Sequence, residues 1–322
     1  MKTLYLSVVG AGGWSTAMHL PVLKKLAASH KIVFTGVCDF DGQKARAYAD
    51  ELGTASVHAD MAEMLSSVRA DGVILLVPPA ANPGVIRAAI RARKPFLVEK
   101  PPATDAATHR ALARAAGRLT HLVAYNRRHS PYTLQARSWM RNTRIQAVVG
   151  QFSRYRRRES DFTSTAVHGI DTVRFLAGSD LARYEIETAH TGHAWNFFIH
   201  GWFKNGARCD LQVTPDTGSS EEHYTIRSAD RTVSLSFPHR AVHDLPGFVE
   251  LRERNAVTRH LGPSDFGVDP KDIPTLAGIL GEHLAFIRAL RTGKPAASTL
   301  SATLQTQEIR EALEKSQRRN RA

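Results

Sequence analysis

Along the first third of the chain, short apolar blocks alternate with amphipathic stretches. Residues 4–9 are apolar and rich in β-branched side chains, and they run straight into Gly10-Ala11-Gly12-Gly13-Trp14-Ser15. A helical pattern follows at once over 16–28, with apolar positions at Met18, Leu20, Leu23 and Leu26 and with Pro21 predicted to kink or restart it. The alternation then repeats. It predicts strands at 31–38, 57, 72–77, 95–99 and 121–125, and helices at 43–52, 60–67, 83–93 and 105–119. Strands alternating with helices at this spacing predict a doubly wound parallel sheet with right-handed crossovers.

The pattern changes near residue 126. Residues 130–141 read as a helix, 145–156 as a long strand and 165–176 as another helix. Six extended segments follow at about 181–191, 193–204, 207–214, 221–228, 231–236 and 247–253, alternating apolar and polar positions as an antiparallel sheet with one wet face does. Helices at 274–292 and 301–317 close the chain. The expected division is a dinucleotide-binding domain, 1–125, and an α+β domain, 126–322, built on a large, mostly antiparallel sheet. An open sheet face is often covered by a second copy, so a homodimer or homotetramer is expected.

Composition narrows the class. At 322 residues, 43% hydrophobic and 23% charged, the chain can bury two cores. Its two cysteines, Cys38 and Cys209, have no partner pattern, which fits a reducing cytoplasm. No leader sequence is expected, because no basic region and cleavage site precede the first strand. No apolar run is long enough to span a bilayer. The net charge of +13 has no helix-turn-helix or RNA-binding signature beside it, so it reads as solvated surface or an anionic small-molecule site, without nucleic acid.

The glycine turn is the expected cradle for a diphosphate. Gly10 allows the tight turn, Gly12 the close approach of backbone, and Ser15 is small enough for the helix to pack on the strand. Gly13 and Trp14 complete the loop. Asp39 ends the second strand, where a carboxylate accepts both hydroxyls of an adenosine ribose and repels a 2′-phosphate. Phe40 follows, with no arginine or serine to welcome that phosphate. NAD(H) is therefore favoured over NADP(H), the alternative for Asp39 being a turn cap.

Glu99-Lys100-Pro101-Pro102 closes the fifth predicted strand, on the sheet edge where ligands bind in doubly wound folds. Lys100 can hydrogen-bond a substrate hydroxyl and exchange its proton, or it can be an ordinary strand-end ion pair. On the 165–176 segment, helical spacing brings Ser164, His168 and Asp171 to one face. His168 is then an acid/base candidate, and Asp171 is placed to orient its ring. A satisfied, half-buried histidine is the alternative. His190/His193 and His239/His243 lack the further ligands of a metal site, so no metal is expected. No G-x-S-x-G elbow or P-loop lysine occurs, which removes common hydrolase and kinase readings. Arg154, Arg156 and Arg158 alternate onto one strand face, which either lines a cleft for a carboxylate or phosphate or is a wet outer surface.

Taken together, these motifs resemble the glucose–fructose oxidoreductase / inositol dehydrogenase / rhizopine catabolism (Gfo/Idh/MocA) family. The resemblance runs through Gly10-Ala11-Gly12, His19-Leu20-Pro21, Val37-Cys38-Asp39, Pro78, Glu99-Lys100-Pro101, Asn126-Arg127-Arg128 with Pro131, His168-Gly169-Ile170-Asp171 with Gly178, and the 286–295 stretch. It implies a Rossmann domain holding the dinucleotide and a sheet domain whose face forms a sugar site. It also implies Lys100 as the acid/base partner of the reacting hydroxyl, and His168 on the same oxygen. Pro78, Asn82, Glu99 and Asn126 join the glycine turn and Asp39 as expected cofactor residues. Arg127, Ser164 and Asp171 join Lys100 and His168 around a sugar-like substrate, anionic if the arginine face lines the cleft.

Two departures accompany the resemblance. Ser164 stands where many relatives have an aspartate, and serine cannot raise the proton affinity of His168 as a carboxylate would. Asp161 and Asp171 are the nearest substitutes. Asn82 stands where relatives often have a histidine, and Pro79 stiffens that turn. The leading expectation is hydride transfer between nicotinamide and a secondary alcohol or ketone of a sugar, cyclitol or similar metabolite. The alternatives are a non-catalytic nucleotide sensor and a reductase of an imine or other non-sugar carbonyl.

Overall fold

The computed structural model describes residues 2–29, 31–157, 162–191, 193–238 and 247–319. The chain divides into two compact units, Met1–Tyr125 with Ile279–Leu304, and Asn126–Gly278 with Gln305–Ala322.

In the first unit, β1 (Leu4–Val9) is followed by a single π turn, Ser15–His19, and then α1 (Leu20–Ser29). The π turn runs without a break into α1 at Leu20, one residue before Pro21, which lacks an N–H. There follow β2 (Ile32–Cys38), α2 (Gly42–Leu52), β3 (Val57–His58), α3 (Met61–Ser67), β4 (Gly72–Leu75), α4 (Asn82–Arg91), β5 (Phe96–Glu99), α5 (Ala106–Ala116) and β6 (His121–Ala124). Asp41, Asp60 and Asp105 cap α2, α3 and α5 by accepting backbone N–H groups of the first turn. The sheet order is β3-β2-β1-β4-β5-β6, all parallel, with the order reversing between β1 and β4. Strands β4, β5 and β6 are buried at every position, because helices cover both faces. The reversal opens the crevice at the carboxyl ends, where the glycine turn and Lys100 both lie.

The contiguous division at 125/126 needs one correction, since residues 279–304 pack with the first unit. Gly72 leaves the room: a Cβ there would stand 3.1 Å from the buried Phe286 ring. The Val123 N–H donates to the Ser298 carbonyl at 2.7 Å, and the Leu300 N–H to His121 Nε2 at 3.0 Å.

The second unit opens with a 3-10 turn, Asn126–His129, then α6 (Pro131–Trp139), β7 (Ala147–Tyr155) and α7 (Thr163–Ala177). Seven strands follow: β8 (Leu181–Thr191), β9 (Ala194–Phe203), β10 (Arg208–Thr217), β11 (Glu221–Arg227), β12 (Arg231–Ser236), β13 (Phe248–Glu253) and β14 (Ala256–Leu261). Their order is β14-β13-β12-β11-β7-β10-β9-β8, antiparallel throughout except for β7 beside β10. Helix α7 lies close on one face, where Gly169 has its Cβ position 3.2 Å from Phe152. Strand β14 was not anticipated, because it is an edge strand exposed at five of six positions and carries no apolar alternation. The helix expected at 274–292 is two, α8 (Ile273–Leu276) and α9 (Ile279–Thr292), before α10 (Leu300–Arg319). Gly278 separates them at φ +97°, where a Cβ would stand 2.0 Å from the Asn126 carbonyl. Among the described residues, no helix is long and apolar enough to cross a membrane.

Candidate functional site

The glycine turn is built by β1 and β2 together. The Gly10 N–H donates to the Cys38 carbonyl at 2.8 Å, and the Ala11 N–H to Asp39 Oδ2 at 2.7 Å. Gly10 has φ +101°, and a Cβ there would lie 2.4 Å from the Leu76 carbonyl oxygen, so only glycine fits. Gly12 and Gly13 are exposed, with nothing within 4 Å of a Cβ at either. That bare, open backbone fits the approach of a diphosphate. Asp39 is half-buried, and its Oδ1 also accepts the Asp41 N–H at 2.9 Å, while Phe40 beside it is 90% exposed.

Ser15 differs from its expected part. It is 1% exposed and its hydroxyl donates to Tyr48 at 2.9 Å, so it packs the helix on α2 and does not line the open turn. Pro78 is exposed past the end of β4. Asn82, at the start of α4, is fully buried, and its Nδ2 donates to the carbonyls of Glu99 and Pro101 at 2.9 and 2.8 Å. It clamps the backbone on both sides of Lys100 through Nδ2, and its Oδ1 is buried without a hydrogen-bond partner. The Lys100–Pro101 peptide is cis.

Glu99 is likewise turned inward. Its Oε2 accepts the Lys100 N–H at 2.9 Å, and its Oε1 accepts from Trp14 Nε1 at 3.0 Å and lies 2.9 Å from His19 Nε2. Burial alone would raise its carboxyl, but His19, the Lys100 charge and Trp14 outweigh burial and hold it below the usual carboxylate range. Lys100 itself is half-buried at the carboxyl end of β5.

In the second unit, α7 carries Ser164, half-buried, and His168, 7% exposed. Asp171 does not orient His168. It is 1% exposed and closes on Arg128 through Nε–Oδ2 at 2.7 Å and Nη2–Oδ1 at 2.6 Å, with the Thr306 hydroxyl donating to Oδ1 at 3.0 Å. Both of its oxygens are thus engaged by partners within the second unit.

Asn126 and Arg127 are also structural. Asn126 is 4% exposed, donates Nδ2 to the Ala277 carbonyl at 2.8 Å and accepts from Arg127 Nη1 at 3.1 Å. Arg127 grips Glu222 through Nη2–Oε1 at 2.6 Å and Nε–Oε2 at 3.1 Å, and Arg154 binds the same Oε1. Burial pushes Glu222 up, yet the two guanidinium groups bring it down to about 2. Arg154 is 3% exposed over the Phe152 ring, so neither reading of the arginine face holds for it. Strand β7 ends at Tyr155, and Arg156 turns away at φ +48°. Arg158, Asp161, His239 and His243 lie outside the described residues.

Sequence reasoning missed Glu222, Glu282 and His283, and it quoted His19 and Arg128 without giving them a part. His19, Glu282 and His283, all buried, present ligand atoms within 4.8 Å of one another. Their separation of more than 260 positions leaves no local signal, and His19 was visible only within His19-Leu20-Pro21.

Residues 5–127 match the family described as an oxidoreductase family with an NAD-binding Rossmann fold. The chain is 31% identical over 196 residues to inositol 2-dehydrogenase 1 of Saccharopolyspora erythraea, covering 57% of this chain and 57% of that one. It thus spans little more than half the length of the curated relatives it matches. Among solved structures it is similar to a dehydrogenase from Chromobacterium violaceum, with a TM-score of 0.86 at 18% identity over 97% of this chain and 94% of that one. An oxidoreductase from Agrobacterium radiobacter, solved with NAD+, L-tartaric acid and magnesium, gives 0.79 at 14% identity over 98% and 96%. These structural likenesses establish the fold. With its open glycine turn and its Glu99-Lys100-Pro101 strand end, the first unit matches the NAD-binding Rossmann fold of the Gfo/Idh/MocA oxidoreductase family over residues 5–127.

Proposed function

We propose that the protein interconverts a secondary alcohol and ketone of a cyclitol or sugar-like small molecule, using NAD(H). The observation that carries this reading is the setting of Lys100. It sits half-buried at the carboxyl end of β5, clamped by Asn82 and Glu99, in the same unit as the open backbone of Gly12 and Gly13. The residues that would hold the dinucleotide are Gly10, Gly12, Gly13 and Trp14 for the diphosphate and Asp39 for the adenosine ribose. Each Asp39 oxygen already accepts one backbone N–H but keeps further lone-pair capacity for ribose hydroxyls. Its charge favours NAD(H) over NADP(H). The similarity to an inositol 2-dehydrogenase supports a cyclitol-like substrate.

The bound nicotinamide supplies the hydride acceptor in oxidation and the donor in reduction. Lys100 Nζ takes the hydroxyl proton as the C–H hydride leaves and returns it in the reverse direction. In the second unit, His168 and Ser164, one turn apart on α7, are the groups this reading assigns to the substrate. The half-exposed Phe198, His200 and Trp202, which share one face of β9, support a homodimer or homotetramer through that sheet face.

The test is nicotinamide absorbance of the purified protein with NAD(H) and NADP(H), against a panel of cyclitols, polyols, sugar acids and nucleotide-sugars. Lys100→Ala is expected to lose turnover by about a hundredfold or more while dinucleotide still binds. Full activity in that variant overturns the assignment of Lys100. Tight dinucleotide binding with a silent panel favours the sensor reading.

A further inference from the structure

We infer that His19 and His283 are positioning residues for Lys100, acting through the buried carboxylate of Glu99. This rests on the reading of Lys100 as the acid/base group.

Glu99 is a carboxylate in the interior of the first unit, and such a group persists there only when its oxygens are occupied by donors. Three donors converge on it: the Lys100 N–H, Trp14 Nε1 and His19 Nε2. Two of these come from the helical turn that follows the glycine loop. The strand end bearing Lys100 is therefore tied to the cradle through this one carboxylate.

His19 is fully buried, so both of its ring nitrogens need partners. With Nε2–H given to Glu99, the neutral ring presents Nδ1 as an acceptor. His283, 1% exposed on α9, puts its Nε2 3.0 Å from that Nδ1. The ring centroids are 5.2 Å apart and the planes lie at 83°. The centroid separation exceeds the nitrogen separation by nearly the sum of the two ring radii, so the nitrogens lie close to the line joining the rings. An N–H of one ring then points along the lone pair of the other. Two imidazoles bound to one cation would instead aim both lone pairs at a shared third point. The Glu282 carboxylate, also buried, lies within 4.8 Å of the ligand atoms of both rings.

The consequence is mechanical. His283 fixes the tautomer and the angle of His19, His19 fixes Glu99, and Glu99 fixes the backbone of Lys100. A small displacement at such a group costs rate while leaving binding alone.

The test uses His283→Leu and His283→Gln in the full chain. In His283→Leu, kcat is expected to fall by about tenfold or more, with substrate KM and dinucleotide Kd within about twofold of the parent. His283→Gln, which keeps a side-chain N–H donor, is expected to restore part of that loss. A proton NMR spectrum of the protein without substrate supplies a readout independent of turnover. A slowly exchanging imidazole N–H resonance should vanish in His19→Gln and shift in both Glu99→Gln and His283→Gln. If kcat in His283→Leu equals the parent, or if it falls no further than KM rises, the positioning role is overturned. If the purified protein carries about one equivalent of metal and a chelator erases the resonance, the cluster is a metal site and the inference is likewise overturned. A parent protein that turns over nothing on the panel, yet shows the resonance and its three responses, overturns the proposed reaction and leaves the histidine line standing.

Discussion

Arg128 and Asp171 form a two-point ion pair in the second unit, with both side chains almost wholly removed from water. The pairing takes Asp171 away from His168, one turn before it on α7, and gives it to the 3-10 turn Asn126–His129. The Arg174 guanidinium, 3.7 Å from Oδ1, adds a second cation. His168 therefore relies on groups other than Asp171.

Breaking this pair should destabilise the protein more than it alters chemistry. Asp171→Asn and Arg128→Met are each expected to cost about 3–5 kcal/mol, because each leaves the other partner charged and buried. Denaturant unfolding measures it, and the Arg128→Met/Asp171→Leu double variant should recover part of the loss. A variant of parental stability whose kcat alone collapses would return Asp171 to the orienting role beside His168.

The two glycines of the turn should separate fold from binding. Gly10→Ala is strained twice, by φ and by the Leu76 carbonyl, and should lose about 2 kcal/mol or more. Gly12→Ala meets nothing within 4 Å and should keep the parental melting temperature. Its methyl group would occupy the approach of a diphosphate, so its dinucleotide Kd should rise by about tenfold or more. Equal Kd values for Gly12→Ala and the parent would move the diphosphate elsewhere.

Removing the Asp39 charge should relax cofactor choice. Asp39→Asn keeps an acceptor for the Ala11 N–H and removes the repulsion of a 2′-phosphate. The ratio of kcat/KM for NADP over NAD is expected to rise by about tenfold in the variant. An unchanged ratio would mean that Asp39 is only a turn cap.

Acid should destabilise the two units over different ranges of pH. His109 is buried with Nε2 on the Leu300 carbonyl, and burial brings it from 6.5 down to about 4. The unfolded chain thus binds a proton that the folded chain refuses between these values, and stability falls as pH drops from 6.5 toward 4. The effect approaches about 3 kcal/mol. Glu222 is depressed from 4.5 to about 2, so its contribution is complete above 4.5 and is lost as pH falls toward 2. His109→Gln should flatten the upper part of the stability–pH curve, and Glu222→Gln the lower part. A variant curve parallel to that of the parent over its range removes that residue as the cause.

The sequence by itself determined the alternating first unit, the glycine turn and the place of Lys100, because strand period, helix period, turn glycines and capping aspartates are all local. Gly10 needs its positive φ, Asp41, Asp60 and Asp105 cap the helices they precede, and Lys100 follows a buried strand. Only the tertiary structure decided which polar groups meet. Arg128 reaches Asp171 across 43 positions, Arg127 reaches Glu222 across 95, and His19 reaches His283 across 264. Periodicity places a side chain on a face but cannot name what the rest of the chain brings against it. A buried polar group takes whichever partner the fold delivers, and that choice set Asp171, Arg127, Asn126 and Asn82 on partners that their positions in the sequence did not name.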